Sequence, residues 1–297
     1  MQPAEFEERE YEAPLYNQLA SANSLVWSPG QVFEHHVGID YAMFLEDEWI
    51  FRLHSLPVLP GAWLARYRWP RSWFQRRVPR RLPTFGLNLF LQSKRPSWGK
   101  RPPKPAREKG ITGVFWRIDL DAEQQNALSF LATRLGKRAL VLYAAPAFHD
   151  YVNLYKHTRR GTIASSSSFP SVHALQGHEG WFYNQPGAMG VANPDYVGVT
   201  EPGLDERIDN LSRTPLDGPT DWRSALKDLG ANIRAGLSEE NLAETPRRAS
   251  FFDTIRAAEI DFRDIPDAEV AVAYVSVLAF CETYRVSWFT VTESLAG

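Results

Sequence analysis

The chain has 297 residues, of which 44% are hydrophobic and 13% aromatic. This composition predicts a folded protein with a sizeable core and excludes disorder throughout. No apolar run approaches the roughly 20 residues that a membrane helix needs, and the first residues are acidic, so we expect a cytoplasmic protein without a membrane span or secretory signal. The net charge of −2 conceals an asymmetry, because residues 61–109 hold fourteen Lys or Arg and one acid. Such a block favours a polyanionic partner.

The N-terminal third predicts two helices and a strand. Residues 5–20 carry apolar side chains at helical spacing. Residues 28–31, Ser-Pro-Gly-Gln, combine a serine N-cap, a proline at the first helical position and a glutamine three residues after the cap, which predicts a short helix. Residues 37–45 are apolar apart from Asp40, so they predict a buried strand that contains one acid.

A second strand is predicted at residues 85–95. Its leucines alternate at period two and define one face, which leaves Asn88, Gln92 and Lys94 together on the other. Residues 113–120 predict a third strand. Counted from the short helix, the order up to this point is one helix followed by three strands.

A helix and a fourth strand complete this pattern. Asp121 and Gln124 form a capping-box-like pair, and Gly136 supplies a left-handed stop, so a helix is predicted between them. Residues 139–144 then predict a fully buried strand. The order is αβββαβ, an α/β core with a mixed central sheet flanked by helices.

The remaining chain predicts mainly helices. A basic helical stretch covers residues 151–160, and three further helices are expected at residues 222–236, 250–260 and 268–286. A shift in composition near residues 202–219 suggests a boundary. We therefore expect a core at residues 1–200, with an insertion at 46–84, and a mainly helical C-terminal extension at 201–297 that binds a protein partner or forms a homodimer.

The chemistry centres on the acid of the first strand. A carboxylate on a buried strand is costly unless its charge is compensated, and a divalent cation compensates it when further ligands are near. Asp40 and Gln92 offer the hard oxygen ligands that Mg²⁺ prefers, with Mn²⁺ as a substitute, and Lys94 would lie beside them on a neighbouring strand. This set suits phosphodiester hydrolysis, in which Lys94 orients the attacking water or offsets charge.

Asp40 followed by Gln92-Ser93-Lys94 resembles the D…QxK variant of the PD-(D/E)xK nuclease superfamily, as in Mrr-like restriction enzymes. The resemblance implies a restriction-endonuclease-like core over residues 29–175. It also implies that Glu34, on the helix before the Asp40 strand, binds a second metal ion or positions water. A role in prokaryotic defence would fit.

A purely structural interpretation of the same residues stays open. Asp40 would then be a strand-end acid paired with an arginine, and residues 92–95 a strand that runs out into solvent. The corresponding functional alternative is a non-catalytic nucleic-acid-binding or protein-interaction subunit on a degenerate nuclease scaffold.

The insertion is rich in arginine and tryptophan and contains no acid between residues 61 and 82. Arginines bind phosphates bidentately and aromatic rings stack on bases, so we expect it to bind nucleic acid, with DNA favoured over RNA. A subunit interface is the alternative. The arginines that we expect to bind nucleic acid are Arg66, Arg68, Arg71, Arg76, Arg77, Arg80, Arg81 and Arg95.

Four histidines fall in one region but lack the spacing of a zinc site. They are His149, His157, His173 and His178. Of these, His173 and His178 are candidates for accessory residues that line the cleft. No phosphate-binding glycine loop is present, so ATP or NAD dependence is not indicated.

Overall fold

The computed structural model describes residues 1–22, 26–27, 85–215, 221–238, 244–264 and 267–291. Glu34, Asp40, the predicted strand at residues 37–45 and the seven arginines of residues 61–82 lie outside these ranges. The described helices are α1 (Glu8–Ala22), α2 (Lys104–Glu108), α3 (Ala122–Leu135), α4 (Tyr151–Arg160), α5 (Leu204–Ser212), α6 (Trp222–Leu237), α7 (Pro246–Asp261) and α8 (Ala268–Tyr284).

The described strands form two sheets. They are β1 (Gln2–Pro3), β2 (Val26–Trp27), β3 (Leu87–Ser93), β4 (Ser97–Gly99), β5 (Phe115–Asp119), β6 (Ala139–Pro146), β7 (Ser167–Ser168), β8 (Gly180–Tyr183), β9 (Met189–Asn193), β10 (Val197–Thr200) and β11 (Ser287–Val291). A mixed five-stranded sheet has the order β2-β11-β3-β6-β7, and an antiparallel six-stranded sheet has the order β1-β4-β5-β8-β9-β10. The α/β class is therefore confirmed.

Strand β3 lies at the centre of the mixed sheet, and all of its residues are buried. Its leucines pack into a cluster with residues of α1 and α5, whereas Phe90 belongs to a cluster with α3, α6 and α8 on the opposite face. Asn88, on the face of Phe90, accepts a hydrogen bond from Trp288 Nε1 at 2.8 Å. The predicted alternation of this strand is confirmed.

The helix and strand that follow in the predicted pattern are also present. Asp121 caps α3 by accepting a hydrogen bond from the backbone N–H of Gln124 at 2.8 Å, and Gly136 ends the helix at a φ of 53°. The chain then enters β6, which pairs in parallel with β3 from Asn88–Ala139 to Ser93–Ala144.

The third predicted strand does not join the same sheet. Strand β5 pairs with β4 and β8 in the antiparallel sheet, so the single central sheet of the αβββαβ prediction is wrong on this point. A period of two reports that a segment is extended and half-buried, but it does not say which strand will be its neighbour.

The C-terminal region is not an extension. Residues of α6, α7 and α8 share one hydrophobic cluster with α3 and β6, and β11 pairs with β3 from Ser287–Leu91 to Val291–Leu87. Helix α8 is apolar nearly all round, so it must be enclosed on most sides. The predicted separation at residue 201 is therefore wrong, because both sides of it build the same core.

Both edges of β3 are occupied in this arrangement. Strand β11 pairs with one edge and β6 with the other. Asp40 and the strand predicted around it lie outside the described residues, so the predicted meeting of the two motif strands stays a prediction. Within the described part of the chain, no helix is long and apolar enough to span a membrane.

The close approach of α6 to α8 yields a paired prediction. A Cβ added at Gly230 would lie 2.7 Å from Ala273 Cα, whereas one at Gly236, in the last turn of the same helix, would have no neighbour nearer than 3.9 Å. We expect Gly230→Ala to lower the free energy of unfolding by about 1–3 kcal/mol through overpacking.

We expect the control Gly236→Ala to raise that free energy by roughly 0.5–1 kcal/mol, because alanine loses less backbone entropy in a helix. Urea denaturation followed by circular dichroism measures both. Equal effects of the two substitutions would contradict the packing of α6 on α8.

Candidate functional site

Lys94 lies where two parallel strands end together. It follows the last residue of β3, and its backbone N–H donates to Ala144 O of β6 at 2.9 Å. The carboxyl ends of parallel strands are the usual place for ligands in α/β sheets. The side chain is partly exposed here, whereas Gln92 is enclosed.

Gln124 connects the two residues of the motif. Lys94 Nζ donates to Gln124 Oε1 at 2.7 Å, and Gln124 Nε2 donates to Gln92 Oε1 at 2.7 Å and to the carbonyl oxygen of Tyr284. The prediction that Gln92 and Lys94 share a face is thus confirmed. Only half of the predicted capping box forms, because the side chain of Gln124 turns to Lys94 and Gln92 instead of back to the helix cap.

Gln92 is not presented to a ligand. Only 1% of the residue is exposed, its amide oxygen accepts from Gln124, and its Nε2 donates to Ser93 O at 2.9 Å. The prediction that Gln92 binds magnesium is therefore wrong, because its amide oxygen already accepts from Gln124, a buried residue of α3. It supports Lys94 indirectly, because it holds Gln124 in place.

The ammonium group of Lys94 is weakly compensated. No carboxylate of the described residues lies within 4.0 Å of Nζ, and the centroid of the Tyr143 ring lies 5.9 Å from it. Burial lowers the pKa of Lys94, while the charges of Glu8 and Asp121 act in the opposite direction without cancelling the effect. The protein thus holds a cation here at some cost in stability.

Glu8 is the carboxylate that acts most strongly on this cation. Burial raises the pKa of Glu8, and the charge of Lys94 and a hydrogen bond from the backbone N–H of Arg95 oppose that rise. Glu8 is partly exposed, in the first turn of α1. An acid is common at the start of a helix because it complements the helix dipole, so nothing in the sequence singled Glu8 out.

Arg95 has a structural role that conflicts with the prediction of nucleic-acid binding. Its Nη1 forms an ion pair with Glu7 at 2.7 Å, and its Nε donates to Ala4 O at 3.0 Å. The guanidinium therefore fastens the N-terminal segment to the end of β3. Three of its five N–H donors are engaged and its charge is paired with Glu7, so we withdraw it from the candidate phosphate-binding set.

His173 and His178 lie on a turn that bonds to β6 and α3. Val172 N donates to Val141 O at 3.1 Å, and Val172 O accepts from Gln125 Nε2 at 2.8 Å. Gln125 follows Gln124, which binds Lys94, but neither histidine forms a hydrogen bond with Lys94 among the described contacts. Their accessory role stays a prediction.

The described residues alone do not build a metal site. Among them, no group of three or more His, Cys, Asp or Glu side chains could hold a metal ion. Glu8 offers one hard oxygen ligand beside Lys94, and Gln92 offers none. The expected magnesium ligands Asp40 and Glu34 lie outside the described ranges and stay predictions.

Comparisons with protein-family models, with curated proteins and with solved structures find no match to this chain.

The stability of the Lys94 site has a predicted pH dependence. In Lys94→Met the buried charge is gone, so we expect the free energy of unfolding at pH 7 to exceed that of the wild type by about 1 kcal/mol. Because the folded pKa lies below the unfolded value, the wild type gains stability as pH rises from the lowered pKa of Lys94 towards 10.5. The difference between the two proteins should therefore shrink on going from pH 7 to pH 10.

Urea denaturation at pH 7, 8.5 and 10 measures this difference. The control is Lys137→Met, an exposed lysine before β6, which should stay within about 0.5 kcal/mol of the wild type. A Lys94→Met protein that is less stable than the wild type at pH 7 would show that the ammonium is a net stabiliser.

Proposed function

We propose that this chain hydrolyses phosphodiester bonds in nucleic acid, with DNA the expected substrate, as a nuclease of the PD-(D/E)xK type. Lys94 is the cation that binds the scissile phosphate. Glu8 is the carboxylate that accepts a proton from the attacking water.

The observation that carries this proposal is the half-buried, incompletely compensated ammonium of Lys94. A protein that needs a positive charge only for stability would pair it with a carboxylate or leave it in water. Here the nearest hydrogen-bonding partner is the neutral amide of Gln124, at 2.7 Å. An ammonium held in this way is free to interact with an anionic ligand, because its charge is not already used.

Each reacting group can be assigned a role from its surroundings. A phosphate oxygen that approaches the partly exposed end of β3 meets Lys94 Nζ, which stabilises the charge that develops on the phosphorus oxygens. The attacking water forms the new P–O bond and gives its proton to Glu8, whose raised pKa makes it a stronger base than an ordinary glutamate. The bond to the leaving oxygen breaks, and that oxygen takes a proton from solvent.

A metal ion has no step in this scheme. The Mg²⁺ that the motif implies depends on Asp40 and Glu34, and it would supply Lewis-acid activation of the phosphate. The cation of this scheme, Lys94, and its base, Glu8, both lie among the described residues. The cleavage assays determine whether a metal ion is also required.

The basic block of residues 61–109 supports a polyanionic substrate. The structure describes residues 85–109 of this block. Five cations that follow Lys94 in it are exposed: Lys100, Arg101, Lys104, Arg107 and Lys109. Of these, Lys104 has an acidic neighbour, Glu108, at 3.8 Å. Exposed cations beside the site favour binding of a phosphate backbone.

Cleavage assays test this proposal. The purified chain should cleave plasmid or single-stranded DNA, and Lys94→Met should reduce the rate by about 100-fold or more, as expected for loss of one transition-state contact. Lys137→Met, the same substitution at the other end of β6, should cleave like the wild type. Parallel reactions with Mg²⁺, Mn²⁺ and EDTA decide the metal requirement.

Two results would count against the proposal. One is a wild-type rate that Lys94→Met leaves unchanged. The other is a lack of cleavage by the wild type of every DNA and RNA substrate in either metal.

The enclosure of Gln92 favours a second candidate, a nucleic-acid-binding protein that has lost the metal site of a nuclease. Calorimetry separates the two. A metal-dependent nuclease should take up Mn²⁺, and Asp40→Ala should abolish that uptake. DNA binding without Mn²⁺ uptake and without cleavage would establish the binder.

A further inference from the structure

Helix α4 exposes an aromatic and basic face that the proposed cleavage chemistry does not use. Residues four apart lie one above the other on a helix, so the exposed side chains form two adjacent rows. One row is Tyr151, Tyr155 and Arg159, and the other is Val152, Lys156 and Arg160. The opposite side of the helix is anchored to the core by Leu154, which is 8% exposed.

The apolar members of this face are unusually open to solvent. The exposed fractions are 48% for Tyr151, 77% for Val152 and 69% for Tyr155. Tyr151 is also held in place, because its Oη donates to Glu10 Oε2 at 2.9 Å. A ring that is both oriented and exposed offers a flat surface on which another ring can stack.

The basic members are not neutralised within the described chain. No carboxylate of the described residues lies within 4.0 Å of Lys156, Arg159 or Arg160. The described acids that bond to the helix lie at its other end, where Glu5 Oε2 accepts from Tyr151 N at 3.0 Å and Glu10 binds the Tyr151 hydroxyl. A bound polyanion would therefore put its phosphates at the C-terminal end of α4.

The face begins close to the Lys94 site. Glu7, the residue before α1, binds Arg95, and Glu10, in the first turn of α1, binds Tyr151. One helical turn spans about 5.4 Å, so the chain that leaves Lys94 and the start of α4 are tied to the same short segment. A substrate strand that leaves the site on this side meets α4 next.

We propose that this face of α4 binds a single-stranded stretch of DNA or RNA, with bases stacked on Tyr151 and Tyr155 and phosphates bound by Lys156 and Arg160. Unpaired bases are required because the rings of a duplex are stacked on one another and are closed to a tyrosine. The inference rests on the proposed function, since it names the form of the substrate that the Lys94 site receives.

Binding of a fluorescent oligo(dT) of about 20 nucleotides, long enough to span the site size of a single-strand-binding module, tests the proposal. Measurements are made in EDTA across a salt series. Lys156→Gln combined with Arg160→Gln should weaken binding about tenfold at low salt and reduce the slope of log Kd against log salt by about 1.4, the value for two phosphate contacts on a single strand. The matched control is Lys137→Gln combined with Arg263→Gln, two exposed cations on other elements, and it should bind like the wild type.

Tyr155→Ala tests stacking separately from charge. We expect about tenfold weaker binding at every salt concentration with the slope unchanged, because stacking releases no counterions. Tyr155→Phe, which keeps the ring, should restore binding. Ile260→Ala, which truncates another exposed apolar side chain (59% exposed), should have no effect.

Three outcomes would overturn the proposal. The first is wild-type affinity in both the Lys156→Gln, Arg160→Gln protein and Tyr155→Ala. The second is an equal loss of affinity in the charge-matched control. The third is binding of a duplex of the same length that is as tight as binding of oligo(dT) and also depends on Tyr155. Oligo(U) in place of oligo(dT) decides between RNA and DNA. Circular dichroism checks that α4 is intact, since cations at a helix C-terminus also stabilise the helix itself.

These results can be told apart from failure of the proposed cleavage. Binding that depends on α4, with no cleavage in Mg²⁺, would leave the surface standing and remove the nuclease. Cleavage that depends on Lys94, with unaltered binding and cleavage in the α4 variants, would remove the surface alone.

Discussion

The positive charge of Lys94 is the constraint on which this end of the molecule depends. An ammonium in a half-buried position needs polar neighbours, and the fold supplies an amide chain from Lys94 through Gln124 to Gln92. Apart from Lys94 itself, the two amides bond to neutral groups, so the chain fixes the geometry of the lysine without cancelling its charge. The negative charge of Glu8, more than 4.0 Å from the ammonium, partly offsets the cost of burying Lys94. The result is a cation that is oriented and still able to bind an anion.

The amide chain from Lys94 to Gln92 depends on the C-terminal helices. Gln124 also donates to the carbonyl oxygen of Tyr284, the last residue of α8, and the chain then turns into β11 beside β3. Residues that are nearly 200 positions apart along the chain therefore meet at the centre of the mixed sheet. Such long-range closure encloses Gln92 completely, and this is why an amide that resembles a metal ligand in sequence is a structural support in the fold.

Much of the local structure was predictable because it depends on neighbouring residues. The alternation of β3, the Asp121 cap and Gly136 stop of α3, and the bounds of α4 follow from period and capping chemistry. Their partners were not predictable. Strand β5 has the pattern of its expected position but pairs in the other sheet, and the contribution of Glu8 depends on how α1 packs across the end of β3.

The sequence by itself determined the α/β class, the shared face of Gln92 and Lys94, and those elements that are set within one segment by side-chain periodicity and capping. These elements are helices α1, α3, α4, α6, α7 and α8 and strands β3, β5 and β6. Only the tertiary structure decided that β11 fills the edge of β3, that Gln92 is enclosed, and that Glu8 stands beside Lys94. Those outcomes depend on which apolar surfaces cover one another. Hydrophobic burial is non-directional, so the pattern of one segment does not specify its neighbour.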